Sequence, residues 1–176
     1  MTGMAPFESG PVEAMLEQWT RERPDLDPSS LGLVARVARL ARTIEENAKT
    51  VLDRFGLSES DFQLLAALRR AGPDYQQSPR ELLEPLMVSS GGLTTWIDRL
   101  EQAGLVQRQP NPEDRRGILV QLTDKGRALA DEVLTAYLAN QQAVLDTALS
   151  REEQTTLSNL LRRLLTAVST AGQQGG

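Results

Sequence analysis

Residues 78–127 contain two closely spaced helix signals followed by a hairpin, and this order constrains the fold more than any other segment. Ser78-Pro79-Arg80-Glu81 is a capping box with proline at the first helical position. Pro85 keeps this helix short, because proline lacks an N–H and disfavours further helix. A serine cap at Ser89 or Ser90 then opens the second helix. The spacing predicts a helix-turn-helix.

The hairpin after these helices has a charged tip. Residues 105–109 and 118–122 are predicted strands, since Ile118, Val120 and Leu122 alternate as a half-buried strand requires. Their connection, PNPEDRRG, is longer than a two-residue turn and therefore projects. A helix-turn-helix followed by an arginine-tipped hairpin can hold duplex DNA in both grooves.

Charge distribution is compatible with a DNA-binding protein although the net charge is −5. Residues 1–30 carry 2 basic and 6 acidic side chains, whereas residues 78–127 carry 7 of each. Binding depends on the field within a Debye length of about 8 Å. A cluster of Arg108, Arg115 and Arg116 at the wing can therefore form a small positive face.

Several classes of function are disfavoured by missing residue types. The absence of cysteine and histidine excludes thiolate metal sites, thiol redox sensing and histidine-based nucleophilic catalysis. We therefore expect no enzyme activity, no catalytic residue, no metal and no cofactor. The sequence has neither an apolar run of membrane-spanning length nor an N-terminal secretory signal. We expect a cytoplasmic protein without membrane contacts.

The remaining helices suggest a mainly α protein, a winged helix-turn-helix with a two-stranded β-wing and a helical dimerisation region. Helices are predicted over residues 11–22, 30–55, 58–70 and 123–149, with a last helix beginning after the capping box at Ser150. The expected organisation is an N-terminal extension with a short helix (1–30), the dimerisation region (31–57 and 123–170), the DNA-binding lobe (58–122) and a flexible tail (171–176).

The second helix of the motif offers small polar groups for DNA contact. Its apolar positions can share one core, which leaves the start of the helix facing outward, and hydroxyl groups there can bond base edges or phosphates. The predicted DNA-binding residues of this helix are Ser89, Ser90, Gly91, Gly92, Thr94 and Thr95. The two glycines permit either close approach to DNA or a poorly wound first turn packed against other residues.

At the wing, we predict that Arg108, Asp114, Arg115 and Arg116 act in DNA binding. An arginine on this loop can enter the minor groove, and Asp114 can hold one arginine while aiming the other. The alternative is a solvated charged turn. Arg99, later in the recognition helix, is predicted to have a structural role, with a wing carboxylate as its partner.

These motifs resemble those of the MarR family of winged-helix regulators over residues 31–170. The resemblance lies in the helix order, in DRLEQAGLV at 98–106, and in DRRG and LTDKG at 114–117 and 122–126. It implies a homodimer with interlocking terminal helices, a pseudo-palindromic operator and a transcriptional regulator, expected to be a repressor, released from DNA by a small aromatic or phenolic ligand. Within the motif, Arg116 matches the wing arginine and Asp114 its partner. Pro85 and Gly91-Gly92 depart from the family pattern.

Exposed apolar faces independently favour a homodimer. The last helix carries a wide face of six residues, and the helix over residues 30–55 adds another. One small lobe cannot cover both, and patches of this size mark interfaces. The residues of the terminal face are Leu157, Leu160, Leu161, Leu164, Leu165 and Val168.

The N-terminal extension with Trp19 resembles a urate-responsive subgroup of the same family. That subgroup has an aspartate where this chain has Gln63 and an arginine where it has Trp96, so the charged partners for urate do not match. The predicted ligand residues are Trp19, Arg36, Arg39, Phe62 and Gln63, a set suited to an aromatic acid. The alternative is that Trp19 only attaches the extra helix to the dimer.

A second functional interpretation is a winged-helix module that contacts proteins and does not bind DNA. The acidic balance and the small number of lysines motivate it.

Overall fold

The computed structural model describes residues 10–114 and 117–173, and within them the chain forms seven helices and three strands. The elements are α1 (Pro11–Glu22), α2 (Ser29–Asp53), α3 (Glu59–Arg69), β1 (Gln76–Gln77), α4 (Pro79–Leu86), α5 (Ser90–Gln102), β2 (Val106–Pro110), β3 (Ile118–Leu122), α6 (Asp124–Asp146) and α7 (Arg151–Gln173). Every predicted helix is present. The chain divides into two compact units between Asn47 and Ala48.

The first unit contains α1 and most of α2. Gly32 lets the two helices approach closely, because a Cβ at this position would lie 2.8 Å from the side chain of Leu16. An ion pair joins Arg36 to Glu13. Backbone hydrogen bonding at the helix start, together with Arg36, lowers the pKa of the Glu13 carboxyl. The helix predicted over residues 11–22 is present as α1.

The second unit is built around α3, whose inner face is fully buried. It packs against α4, α5, α6 and the sheet. The core collects leucine and valine side chains from all of these elements, and its largest fully buried members are Leu52, Leu64, Leu65, Leu68, Leu82, Leu93, Ile97, Leu100, Val106, Val120 and Val133. This core fixes the helix-turn-helix against the wing.

The sheet contains a short strand that the sequence pattern did not predict. The predicted hairpin of β2 and β3 is present, and β1 pairs with the other edge of β3, giving the order β1-β3-β2. Tyr75 enters β1 in a left-handed conformation with φ 53°. Its carbonyl accepts the N–H of Leu122 at 3.0 Å, and the guanidinium groups of Arg69 and Arg127 lie 4.9 and 5.5 Å from its ring centre. These contacts hold β1 in place.

The last helix is longer than predicted, and the outermost residues at both termini are not among those described. α7 continues to Gln173, into the segment 171–176 that was predicted to be a flexible tail. Helix propagation adds one hydrogen bond per residue, so an established helix extends readily. Residues 1–9 and 174–176 lie outside the described part of the chain. The predicted grouping of residues 31–57 with 123–170 as one dimerisation region stays a prediction.

Candidate nucleic-acid interface

The helix-turn-helix consists of α4 and α5, and local signals in the sequence set both helix starts. Ser78 and Glu81 form the predicted capping box, and the hydrogen bonds from Ser78 lower the pKa of the Glu81 carboxyl. Ser89, rather than Ser90, caps α5 and accepts the N–H of Gly92 at 3.2 Å. Between them Met87 adopts a left-handed conformation with φ 48°, and its side chain is 92% exposed. The turn is short, because only Met87, Val88 and Ser89 separate the two helices.

The outer face of α5 is small and polar, as predicted. Ser90, Gly91, Thr94 and Thr95 are exposed, while the opposite face is buried in the core. The hydroxyl of Thr94 donates to the carbonyl of Ser90 at 2.9 Å, and that of Thr95 to the carbonyl of Gly91 at 3.1 Å. Each hydroxyl oxygen keeps its acceptor lone pairs, which can bond amino groups on base edges.

The two glycines of this helix have different surroundings. A Cβ at Gly92 would lie 2.8 Å from Cγ2 of Val88, so packing explains the absence of a side chain there. A Cβ at Gly91 would meet nothing within 4 Å. Contacts within the chain therefore explain Gly92 but not Gly91. The open space at Gly91 is consistent with close approach of another molecule.

The wing is stiffened at its tip by backbone hydrogen bonds. The carbonyl of Asp114 accepts the N–H of Gly117 at 2.8 Å, and Asn111 donates its N–H to the carbonyl of Gly117 at 3.0 Å. A Cβ at Gly117 would lie 3.1 Å from a carboxylate oxygen of Asp114, so this side chain folds back over the turn. Arg115 and Arg116 lie outside the described residues. Their predicted role stays a prediction.

Arg108 is engaged by two carboxylates of the recognition helix. Its guanidinium pairs with Asp98 at 2.5 Å and also with Glu101, and its backbone N–H donates to Glu101 at 3.0 Å. The hydrogen bond to Asp98, followed by the charge of Glu101, raises the pKa of Arg108. The structure thus places Arg108 at the joint between α5 and β2, where its charge is largely compensated. Its predicted DNA contact stays a prediction.

Arg99 has a different partner from the one predicted. It does not pair with a wing carboxylate within the described residues. Its Nε donates to Asp61 at 2.7 Å, and another guanidinium nitrogen donates to Ser60 at 2.8 Å. Asp61 belongs to the capping box of α3, so Arg99 ties the recognition helix to the start of α3. A structural role agrees with this geometry, but the wing partner was wrong.

The LTDKG segment, residues 122–126, attaches the end of β3 and the start of α6 to the C-terminal end of α5. Thr123 caps α6, and its hydroxyl also lies 2.8 Å from the carbonyl of Gly104. Lys125 donates to the carbonyl of Ala103 at 2.9 Å. A Cβ at Gly126 would lie 1.9 Å from the carbonyl oxygen of Leu105, so only glycine fits. The sequence motif was identified, but this joining role was not predicted.

The candidate ligand residues fall in both compact units. In the first, Trp19 is 47% exposed beside an open cavity of about 250 Å³. Neither Arg36 nor Arg39 lines that cavity; its lining is Trp19, Arg23, Leu26, Asp27, Pro28, Ser30 and Leu31.

In the second unit, Phe62 stacks on Tyr137 with ring centres 4.6 Å apart. The amide of Gln63 donates to Glu59 at 3.1 Å. The predicted ligand-binding role of Trp19, Phe62 and Gln63 stays a prediction.

Neither a metal-binding cluster nor a membrane-spanning helix is found among the described residues. No group of three His, Cys, Asp or Glu among them is arranged to hold a metal ion. Among these residues, too, no helix has both the length and the apolar character needed to cross a bilayer.

Comparison with known proteins gives the family. The family model described as "MarR family" matches residues 57–118. The HTH-type transcriptional regulator PecS of Dickeya dadantii is 38% identical, with 87% of this chain and 92% of PecS aligned. The chain belongs to the MarR family.

Solved structures of MarR proteins share the fold. A mutant of MarR from Escherichia coli, complexed with operator DNA, has a TM-score of 0.68 and 29% identity, covering 80% of this chain and 98% of that one. BpsR of Bordetella bronchiseptica, whose DNA binding is described as regulated by 6-hydroxynicotinic acid, has a TM-score of 0.63 and 25% identity, covering 74% and 90%. The predicted winged helix-turn-helix is confirmed, and a protein-interaction module without DNA binding is not favoured.

Proposed function

We propose that this chain is a sequence-specific DNA-binding transcriptional regulator that acts as a homodimer on a pseudo-palindromic operator. The observation that carries the proposal is the polar outer face of α5, with Thr94, Thr95 and the open position Gly91, beside a projecting wing. A recognition helix needs such a face to enter the major groove. The activity is binding rather than catalysis, and it takes place in the cytoplasm.

The homodimer is supported by apolar faces that a single chain leaves exposed. On α7 the exposed side chains include Leu160, Leu164, Leu165 and Val168, and on α2 they include Leu33, Val34, Val37 and Leu40. Burial of apolar surface contributes about 25 cal/mol per Å², so a second copy of the chain stabilises both faces. A twofold dimer also presents two recognition helices to symmetric half-sites.

The DNA contacts are assigned to the start of α5 and to the wing. Ser89, Ser90, Thr94 and Thr95 supply hydroxyl groups at or near the first turns of the helix. At the wing, Arg115 and Arg116 enter the minor groove, and Asp114 orients one of them. Arg108, at the base of the wing, is also a proposed DNA contact.

The regulator is a repressor that a small aromatic or phenolic ligand releases from DNA. The relative BpsR supports this class of effector, because the molecule described as regulating it is an aromatic acid. Trp19, Arg36, Arg39, Phe62 and Gln63 are the proposed ligand residues. Titration of the DNA complex with small aromatic acids tests this part separately from DNA binding.

Selection of genomic DNA fragments by the purified full chain tests the function. It is carried out at low salt and again near 150 mM, because non-specific binding weakens steeply with salt. Recovery of a pseudo-palindromic sequence at both salt concentrations is the expected result. Recovery of no common sequence, or binding that disappears with salt, contradicts specific readout and favours a protein partner.

A further inference from the structure

Among the described residues of the DNA-binding lobe and the start of α6, few cations lack a partner within the chain. Within residues 58–127 the described cations are Arg69, Arg70, Arg80, Arg99, Arg108, Lys125 and Arg127. Arg69 pairs with Asp131, Arg99 with Asp61, and Arg108 with both Asp98 and Glu101. Lys125 donates to the carbonyl of Ala103, and Arg127 lies over the ring of Tyr75. Among the described residues, the side chains of Arg70 and Arg80 make no ion pair or hydrogen bond.

Arg80 lies on the outer face of α4, the first helix of the helix-turn-helix. Leu82 and Leu86 of this helix are buried, and Arg80, two residues before Leu82, points away from them and is exposed. Glu84 is one turn further on the same face but makes no ion pair with it. Glu81 is engaged with Ser78. The guanidinium is therefore available to another molecule.

Helix stability does not explain a cation at this position. Arg80 is in the first turn of α4, where the helix dipole disfavours positive charge. Arg70, by contrast, is at the end of α3, where the dipole favours positive charge. Arg80 thus combines exposure, the lack of an internal partner and a position that the dipole disfavours, which leaves it available to an anionic partner outside the chain. In a helix-turn-helix the first helix crosses the DNA backbone.

We propose that Arg80 binds a DNA phosphate and thereby sets the position of the recognition helix on the duplex. The inference rests on the proposed function, because it assumes a DNA-binding protein. A phosphate contact fixes register and orientation but carries no sequence information directly. Arg80 therefore contributes to affinity for every duplex, unlike Thr94 and Thr95, which face base edges.

Salt-dependent binding of two duplexes tests the proposal. The probes are a fragment recovered by genomic selection and a scrambled duplex of the same length and composition. For Arg80→Ala, the slope of log affinity against log salt becomes shallower by about 0.9 on both probes. The ratio of wild-type to variant affinity then falls about 2.7-fold from 50 to 150 mM salt. Arg80→Lys keeps the slope, and Arg70→Ala is the matched control with an unchanged slope.

Two outcomes overturn the phosphate contact while leaving DNA binding intact. One is an unchanged slope for Arg80→Ala, and the other is a loss confined to the selected fragment, which indicates a base contact. Thermal unfolding of Arg80→Ala is expected to match that of the wild type, so a change in the salt slope is not due to misfolding. If the wild-type chain binds neither duplex even at low salt, the proposed function itself fails.

Discussion

Arg99 on the recognition helix donates a hydrogen bond of 2.7 Å to Asp61, which also closes the capping box of α3. The side chain of Asp61 is only 8% exposed, so most of its acceptor capacity is satisfied inside the protein. Ser58 donates both its N–H and its hydroxyl to the same carboxylate. The start of one helix and the orientation of another therefore depend on a single carboxyl group.

Replacement of Arg99 by alanine is expected to lower the free energy of unfolding by about 1–3 kcal/mol, because a largely buried carboxylate loses a charged donor. Operator affinity also falls, since α5 loses its link to α3. Urea unfolding and DNA titration measure the two effects. The control is Arg151→Ala, which removes an exposed pair with Asp146 and is expected to cost less than about 0.5 kcal/mol. Equal effects of the two substitutions contradict this account.

Gly91→Ala is expected to weaken DNA binding without lowering the stability of the fold. A methyl group at Gly91 meets nothing within the chain, so stability is unchanged or rises by up to about 1 kcal/mol. If DNA approaches this position closely, operator affinity falls by roughly tenfold, the equivalent of 1.4 kcal/mol. The comparison variant is Gly92→Ala, which meets Val88 and lowers stability. Unchanged affinity in Gly91→Ala rules out close approach at this residue.

Gly126→Ala is expected to be among the most destabilising substitutions in the chain. Its methyl group would lie 1.9 Å from the backbone oxygen of Leu105, which cannot move without shifting the wing. Overpacking of this kind costs about 1–3 kcal/mol, and a backbone neighbour puts the cost at the upper end or beyond. Thermal unfolding measures it. A stability equal to the wild type shows that the junction between the wing and α6 is looser than the structure indicates.

Leu165→Glu is expected to prevent dimerisation. Leu165 is 68% exposed in the single chain, and a charge buried at an apolar interface is strongly unfavourable. Sedimentation of the variant measures the loss of dimer, and operator binding falls with it because one recognition helix no longer positions the other. Arg163→Glu, also exposed on α7, is the control for added negative charge. A variant that remains dimeric assigns the interface to other residues.

Arg116→Ala is expected to weaken binding to the selected fragment. If the arginine neutralises a phosphate as it enters the minor groove, the salt slope also becomes shallower by about 0.9. Anisotropy titrations at several salt concentrations measure both quantities. Glu113→Ala, a change at the same loop without loss of a cation, provides the comparison. Wild-type affinity in Arg116→Ala refutes the wing assignment.

Local signals in the sequence predicted most of the fold, because they act within one turn of helix. The capping boxes at Ser78 and Ser150 depend on residues three positions apart, and both are formed. Alternation of Ile118, Val120 and Leu122 likewise predicted β3, in which Val120 and Leu122 are buried and Ile118 is exposed.

The sequence pattern did not predict contacts between residues that are far apart in the chain. Asp61 and Arg99 are 38 positions apart, and nothing local selects this partner over a carboxylate of the wing. β1 has only two residues and depends on the left-handed conformation of Tyr75, which its residue type does not suggest. The same limit applies to Arg108: the sequence pattern did not predict its ion pairs with Asp98 and Glu101, and its predicted DNA contact stays a prediction.

The central claim is that two copies of the chain place two α5 helices on one symmetric operator. The most direct test combines a footprint on the selected fragment with the mass of the complex in solution. The account predicts two chains per duplex and two protected half-sites whose centres are about 10–10.5 base pairs apart, or a multiple of that spacing. A single protected segment with one chain per duplex, or no protection at any salt concentration, contradicts it.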